Sequence, residues 1–226
     1  MQLALISDIH GNLPALEAVL NDINDEEGID TVVCAGDVVG YGPWPGECVE
    51  RVRERCSVVV QGNHDRSVET PDEYSHNEMA MGGLDYAKRE LDEEQREWLA
   101  ELTPRTTIAR GRIQLVHSHP DPDHRGRYVR PRAFPEMRPY LDECDSLVLG
   151  HTHVQHRAHV DGKLIVNPGS VGQPRDGDAR AAYAVLDSED TSVDLRRVEY
   201  DIDRVIQRVE EVGLPRRIGT RLLDGR

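Results

Sequence analysis

Short apolar runs alternate with amphipathic stretches along the first third of the chain. Residues 3–6, 31–34 and 57–60 are continuous apolar and β-branched runs of the length of a buried strand. Between the first two, Leu13, Leu16, Leu20 and Ile23 return to one helical face. Asn12 stands where an N-cap belongs, and Pro14 suits the first turn. A second helix is expected over 45–55, with Val49 and Val52 turned inward. Strand, helix, strand, helix, strand predicts parallel pairing through right-handed crossovers.

Residues 72–102 are charged and helical in period, with a cap signal at Asp92 and Gln95 and a helical pair in Trp98 and Leu102. Strand patterns return at 106–109, 113–116, 146–149, 156–160, 164–166, 181–186 and 193–198. Asp161-Gly162 is hairpin chemistry. Val205, Val209 and Val212 predict a final helix, and the arginine-rich tail, residues 213–226, gives no clear signal. The pattern is α/β: two packed mixed sheets flanked by helices, one domain over residues 1–226.

The charge changes the picture of partners. With 42 acids against 27 bases the net charge is −15, and lysine occurs only at Lys88 and Lys163. A dense acidic surface stripped of lysine is expected of a halophilic protein kept soluble in brine by hydration and self-repulsion. Long-range attraction to long nucleic acid or to an anionic membrane is not expected. No apolar run approaches the roughly 18 residues of a membrane span, and an acid stands at position 8 of the opening segment. A cytoplasmic location is expected. Cys34, Cys48, Cys56 and Cys144 show no CxxC spacing, so reduced thiols and no structural zinc are expected.

Five short motifs each end a predicted strand: Asp8-Ile9-His10-Gly11-Asn12, Gly36-Asp37-Val38-Val39-Gly40, Gly62-Asn63-His64-Asp65, His117-Ser118-His119 and Gly150-His151-Thr152-His153. An open α/β sheet presents ligands outside the carboxyl ends of its strands. Side chains at i and i+2 of an extended segment share a face, which would let Asp8 and His10 reach one ion. Singly, each motif reads as a polar turn; together, in this order, they read as a metal site. Among the ten histidines, His10, His64, His117, His151 and His153 take site roles. His76, His124, His156 and His159 read as surface groups, and His119 fits either description.

The order DxH, GDxxG, GNHD, H, GHTH resembles the calcineurin-like metallophosphoesterase superfamily. The stretches from Gly36 to Pro43 and from Asn167 to Arg175 resemble its small prokaryotic phosphodiesterase branch. The resemblance implies a four-layer αββα sandwich and two divalent ions. Asp8, His10, Asp37 and His153 would hold one, and Asp37, Asn63, His117 and His151 the other. It implies hydrolysis of a phosphate ester, first of all a phosphodiester, by in-line attack of a metal-bridging hydroxide. His64 would be the non-ligand histidine that stabilises the transition state or protonates the leaving group. Phosphomonoester or dinucleoside-polyphosphate hydrolysis is the enzymatic alternative, and a non-catalytic metal-binding scaffold is the alternative of another class.

The donor chemistry is compatible with that split. Carboxylate, amide and imidazole without thiolate suit manganese first, with iron, nickel or zinc also accommodated. Four positive charges against the carboxylates of Asp8 and Asp37 leave about two units of excess positive charge, enough to bind a small phosphate ester or nucleotide locally. Two departures from the family pattern stand out. Gly40 and Tyr41 occupy the stretch where many relatives carry an acid that orients the catalytic histidine, leaving Asp65 as a candidate partner of His64. Ser118 and His119 follow His117 where glycine is common. Asn12, Arg125 and Arg127 are candidate substrate contacts, the arginines belonging to a basic cluster over 123–132 that would clamp phosphate or simply face solvent.

Overall fold

The computed structural model describes residues 1–226. The chain runs β1 (Gln2–Ile6), α1 (Leu13–Asp25), β2 (Ile29–Cys34), α2 (Pro45–Arg55) and β3 (Cys56–Val59). A single turn, α3 (Asn63–Arg66), leads to α4 (Glu78–Glu90) and α5 (Glu93–Glu101). The strands β4 (Arg105–Ile108), β5 (Ile113–Val116), β6 (Ser146–Val148), β7 (His156–Val160), β8 (Lys163–Asn167), β9 (Ala181–Asp187) and β10 (Val193–Val198) follow, and α6 (Ile202–Glu211) and α7 (Arg217–Thr220) close the chain.

Two five-stranded mixed sheets result, ordered β10-β9-β1-β2-β3 and β4-β5-β6-β8-β7. The expected parallel pairing of β1 with β2 and of β2 with β3 is present. Strand alternation makes three layers of core. Leu3, Leu5, Val33 and Val60 from the first sheet meet Ile113, Leu115, Val148 and Val166 from the second. The opposite face of β1, Ala4 and Ile6, packs under α1, α2 and α4 through Leu16, Val49 and Leu84. Burying each such leucine or isoleucine contributes roughly 1.5–3 kcal/mol before chain entropy is subtracted.

The outer layer of the second sheet is not an α-helix. It is a 3₁₀ segment, Pro131–Leu141, that buries Phe134, Met137 and Leu141 on the sheet. Pro135 and Pro139 deny it the amide donors of an α-helix.

Local signals account for most boundaries. Asn12 Oδ1 accepts the Ala15 N–H at 3.3 Å and starts α1. Asp92 and Gln95 form a reciprocal capping box on α5. Asp161 and Gly162 sit at φ 51° and 80°, as the tight β7–β8 hairpin requires. Beyond Gly213, where the sequence shows no clear signal, Leu214, Ile218 and Leu222 return to the main core under α6 and α7. All four cysteines are free. No helix is long and apolar enough to cross a membrane.

Candidate metal centre and active site

The five motifs converge where the two sheets meet. Asp8 follows β1, Asp37 follows β2, and Asn63 and His64 open α3 after β3. The second sheet supplies His117 after β5 and His151 and His153 after β6. Bonds across the gap hold the two halves in register. His117 Nδ1 donates to Ala35 O at 2.7 Å, the His151 N–H donates to Asp8 Oδ2 at 3.0 Å, and Ser170 Oγ donates to Asp8 O at 2.6 Å.

Asp8 and His10 do not lie on an extended segment, so the shared-face argument from sequence is corrected. Their φ angles are 53° and 50°, and Asp37, His151 and His153 sit at 55°, 68° and 57°. Non-glycine residues resist this left-handed region, and such strain gathers where surrounding structure over-determines a functional site. Sharp turns, rather than pleat alternation, aim these side chains at one point.

Hydrogen bonds to backbone carbonyls orient four of the five site histidines, His64 excepted. His10 Nδ1 donates to Val39 O at 3.1 Å and His153 Nδ1 to Gln173 O at 2.6 Å. His151 does the reverse, donating from Nε2 to Gly126 O at 2.9 Å. A carbonyl can only accept, so whenever such a ring is neutral its opposite nitrogen carries a lone pair. Those lone pairs face other acceptors. His10 Nε2 stands 3.1 Å from His153 Nε2, and His153 Nε2 stands 3.3 Å from Asp8 Oδ1. His117 Nε2 stands 3.0 Å from Asn63 Oδ1 and 3.3 Å from Asp37 Oδ2. Asn63 Nδ2 donates to the Tyr74 hydroxyl at 2.6 Å, which turns its oxygen inward. Three groups of buried donors form: Asp8 with His10 and His153, Asp37 with His117 and His151, and His10 with Asp37 and His64. With His117 deprotonated, as a ligand must be, the lone pairs converge in the manner that fits cations.

The electrostatics agree. Burial keeps His10 and His153 well below the usual imidazole range and pushes His151 down to about 3, so all three stay neutral and ready to ligate. Burial also acts to lower His117, but the adjacent Asp37 carboxylate lifts it to about 9. Burial acts to raise Asp37, yet His117, His64 and His10 hold it well below the carboxylate range. Asp8 is pushed up to about 7, chiefly by burial. A buried anionic cluster that draws a proton onto His117 has the field a divalent ion would satisfy better.

His64 stands apart from this pattern. Its backbone N–H donates to Asp37 Oδ1 at 2.8 Å, while its ring Nδ1 is buried without a partner. Burial lowers its pKa to about 4. The ring lies among His10, Tyr41 and Tyr74, each with its centroid 4.8–4.9 Å away. Asp65 is not its orienting partner, a correction to the sequence reading: the Asp65 carboxylate accepts the backbone amides of Asp37, Val38, Val39 and Gly62 instead.

A cavity of about 250 Å³ opens over Asp37, His64, His151 and His153, walled by Tyr41, Tyr128 and Arg175. Tyr128 stacks on His151 at 4.4 Å, and His76, read as a surface group, stands at the mouth beside Tyr74. Arg175 carries no role in the sequence reading. Its guanidinium donates to Gln173 Oε1 at 2.6 Å, lies 5.7 Å from the Tyr41 ring centroid and has no carboxylate partner. The signal for it was its place at the end of the Asn167–Arg175 motif. Asn12 is corrected: its oxygen caps α1, and its amide donates to Gly172 O at 2.8 Å and toward the Tyr200 hydroxyl, outside this cavity. Arg125 and Arg127 are both exposed, but Arg127 lines neither cavity beside the donors, whereas Arg125 lines a second, adjoining one.

Two packed mixed sheets carrying a buried Asp–His–Asn donor cluster at their strand ends define a metal-dependent phosphoesterase. The chain belongs to the calcineurin-like phosphoesterase superfamily, whose domain model matches residues 1–191. It is 35% identical to an uncharacterised protein of Methanocaldococcus jannaschii, covering 99% of this chain and 98% of that one. It is 30% identical to the phosphodiesterase YfcE of Escherichia coli, covering 85% of this chain and 91% of the relative. The crystal structure of a metallophosphoesterase from Sphaerobacter thermophilus matches with a TM-score of 0.83 at 34% identity, over 100% of this chain and 99% of that one.

Proposed function

We propose that the protein hydrolyses phosphodiesters with two divalent ions. Asp8, His10, Asp37 and His153 would hold one ion, and Asp37, Asn63, His117 and His151 the other. The observation that carries this reading is the position of Asp37 Oδ2, 3.7 Å from His10 Nε2 and 3.3 Å from His117 Nε2, between the two groups of lone pairs. When bound, the ions supply positive charge to the phosphoryl oxygens and lower the pKa of the attacking water. Manganese suits the mixed oxygen and imidazole set ahead of iron, nickel or zinc.

The remaining chemistry belongs to the protein. Arg175 offers an uncompensated guanidinium to a phosphate oxygen from the Tyr41 side of the cavity. His64, neutral by burial, presents its ring to the same cavity, where a bound phosphate would raise its proton affinity and let it assist the leaving oxygen. Tyr41, Tyr74 and Tyr128 wall the cavity with rings that suit an aryl or nucleoside ester. The lysine-poor acidic surface supports work at high salt. A non-catalytic scaffold has no need of a complete donor set together with a buried, unpartnered His64.

Turnover of bis(p-nitrophenyl) phosphate tests the reading. It is expected to vanish with chelator and return with Mn²⁺. Protein that binds two ions per chain and turns over no mono-, di- or polyphosphate ester would establish the scaffold instead.

A further inference from the structure

A second cavity, of about 260 Å³, adjoins the first and shares Asn63, Arg66 and Gly126 with it. His117 stands in its wall, so it opens directly onto the donor cluster. Three arginines, Arg66, Arg105 and Arg125, line it. They come from separate elements: α3, the first residue of β4, and the loop after β5.

None of the three is spent on a carboxylate. Elsewhere in this acidic chain Arg53, Arg112, Arg138, Arg180 and Arg197 each pair with an Asp or Glu. Arg66 and Arg105 make no side-chain hydrogen bond, and Arg125 makes one, donating from Nη2 to Gln61 Oε1 at 3.0 Å. That bond orients the guanidinium without neutralising it. Desolvation and the nearby charge of Arg66 lower the Arg125 pKa, though Arg66, Arg105 and Arg125 are all exposed. Pro104, Pro120 and Pro122 stiffen the rim, and the Gly126 N–H donates to Ser118 Oγ at 2.8 Å, tying the Arg125 loop to the turn after His117.

We propose that this cavity is a second-phosphate subsite, and that the substrate is a phosphoester carrying at least one further phosphate, of the nucleoside- or dinucleoside-polyphosphate class. The inference rests on the hydrolytic reading above and adds the substrate class to it. The reacting phosphate occupies the first cavity, beside His64 and Arg175. The next phosphate extends past Asn63 to Arg66, Arg105 and Arg125. Hydrolysis consumes one water: its oxygen bonds to phosphorus, the P–O bond to the leaving group breaks, and the proton goes to the leaving oxygen or to solvent. Arg66, in the wall common to both cavities, touches substrate on either side. Arg127, outside both, contributes nothing.

Calorimetric titration of manganese-loaded protein with a methylene-bridged, non-hydrolysable diadenosine tetraphosphate reads the subsite whether or not the protein turns over. The double variant Arg105→Ala, Arg125→Ala should weaken binding about tenfold or more, as two charge-assisted contacts are lost. Arg125→Lys alone should recover part of what Arg125→Ala loses, and Arg127→Ala should bind as wild type. An unchanged dissociation constant in the double variant overturns the subsite, as does an equal loss in Arg127→Ala. Turnover of bis(p-nitrophenyl) phosphate, followed on the same wild-type preparation, judges the hydrolytic reading separately: its absence removes that reading while the titration still decides the subsite.

Discussion

The Asp65 carboxylate accepts the backbone N–H of Asp37 at 2.8 Å. Its two oxygens also take the amides of Val38 at 2.8 Å, Val39 at 3.2 Å and Gly62 at 2.9 Å. One buried side chain thus knits the loop that presents Asp37 to the turn that presents Asn63 and His64. Asp65 is the last residue of the GNHD motif, next to the histidine, yet its work is on the backbone.

Asp65→Ala should therefore act as a structural lesion with a metal phenotype. Four buried amides would lose their acceptor, at a cost of about 3–5 kcal/mol. Chemical denaturation should show that loss, and ion affinity should fall because Asp37 is no longer held. A change below about 0.5 kcal/mol would be within the range of an ordinary surface substitution and would remove the knot from the account.

His64 and Gly40 should fail together. Gly40 sits at φ 89°, and a Cβ there would collide with the Nδ1 of His64. His64→Ala should lower kcat by about 10²–10⁴ with both ions retained, the behaviour of a lost acid–base group. Gly40→Ala should lower kcat through the same ring, again with normal ion content, because the collision falls on His64 and on none of the seven metal donors. Metal analysis beside the kinetics decides the matter. Ion loss in His64→Ala would make that residue a ligand.

Much of the fold was legible because its signals are local. Asn12, Asp92 with Gln95, and Asp161-Gly162 each state a cap or a turn in one or two residues, and the structure uses them so. The C-terminal segment was harder. Leu214, Ile218 and Leu222 recur every four residues, but Arg216, Arg217 and Arg221 between them hide the period from a reading of average polarity. The 3₁₀ layer was missed for a related reason: Phe134, Met137 and Leu141 keep a helical spacing while prolines argue against a helix.

In the site, residue types and order pointed to the donors, because glycine-flanked Asp and His at strand ends are chemically conspicuous. Their backbone was not legible. Nothing in Asp8-Ile9-His10 announces two left-handed residues, since the conformation is imposed by contacts such as His10 Nδ1 to Val39 O across the sheet. Arg66 and Arg105 escaped notice because they are separated along the chain and meet only in the folded wall.

The buried histidines also set the response to acid. In the unfolded chain they take up protons near 6.5. In the folded chain burial holds His64 to about 4 and His151 to about 3, and keeps His10 and His153 well down. Below pH 6.5 the unfolded state binds protons that the folded state refuses, so stability falls as pH drops through this window. Asp8, raised to about 7, and Asp65, raised to about 6, both chiefly by burial, work the other way, since the folded state protonates them first. Four histidines against two carboxyl groups leave a net loss in acid. His117, raised to about 9 by Asp37 against the effect of burial, adds stability below 6.5 that is lost as pH rises through 9. The melting temperature of chelator-treated protein should therefore decline from pH 7 to pH 4. With Mn²⁺ the decline should be steeper, because ligands must be deprotonated to hold the ions. A melting temperature that is level or rising from pH 7 to pH 4 without metal would contradict the neutral state assigned to His10, His64, His151 and His153.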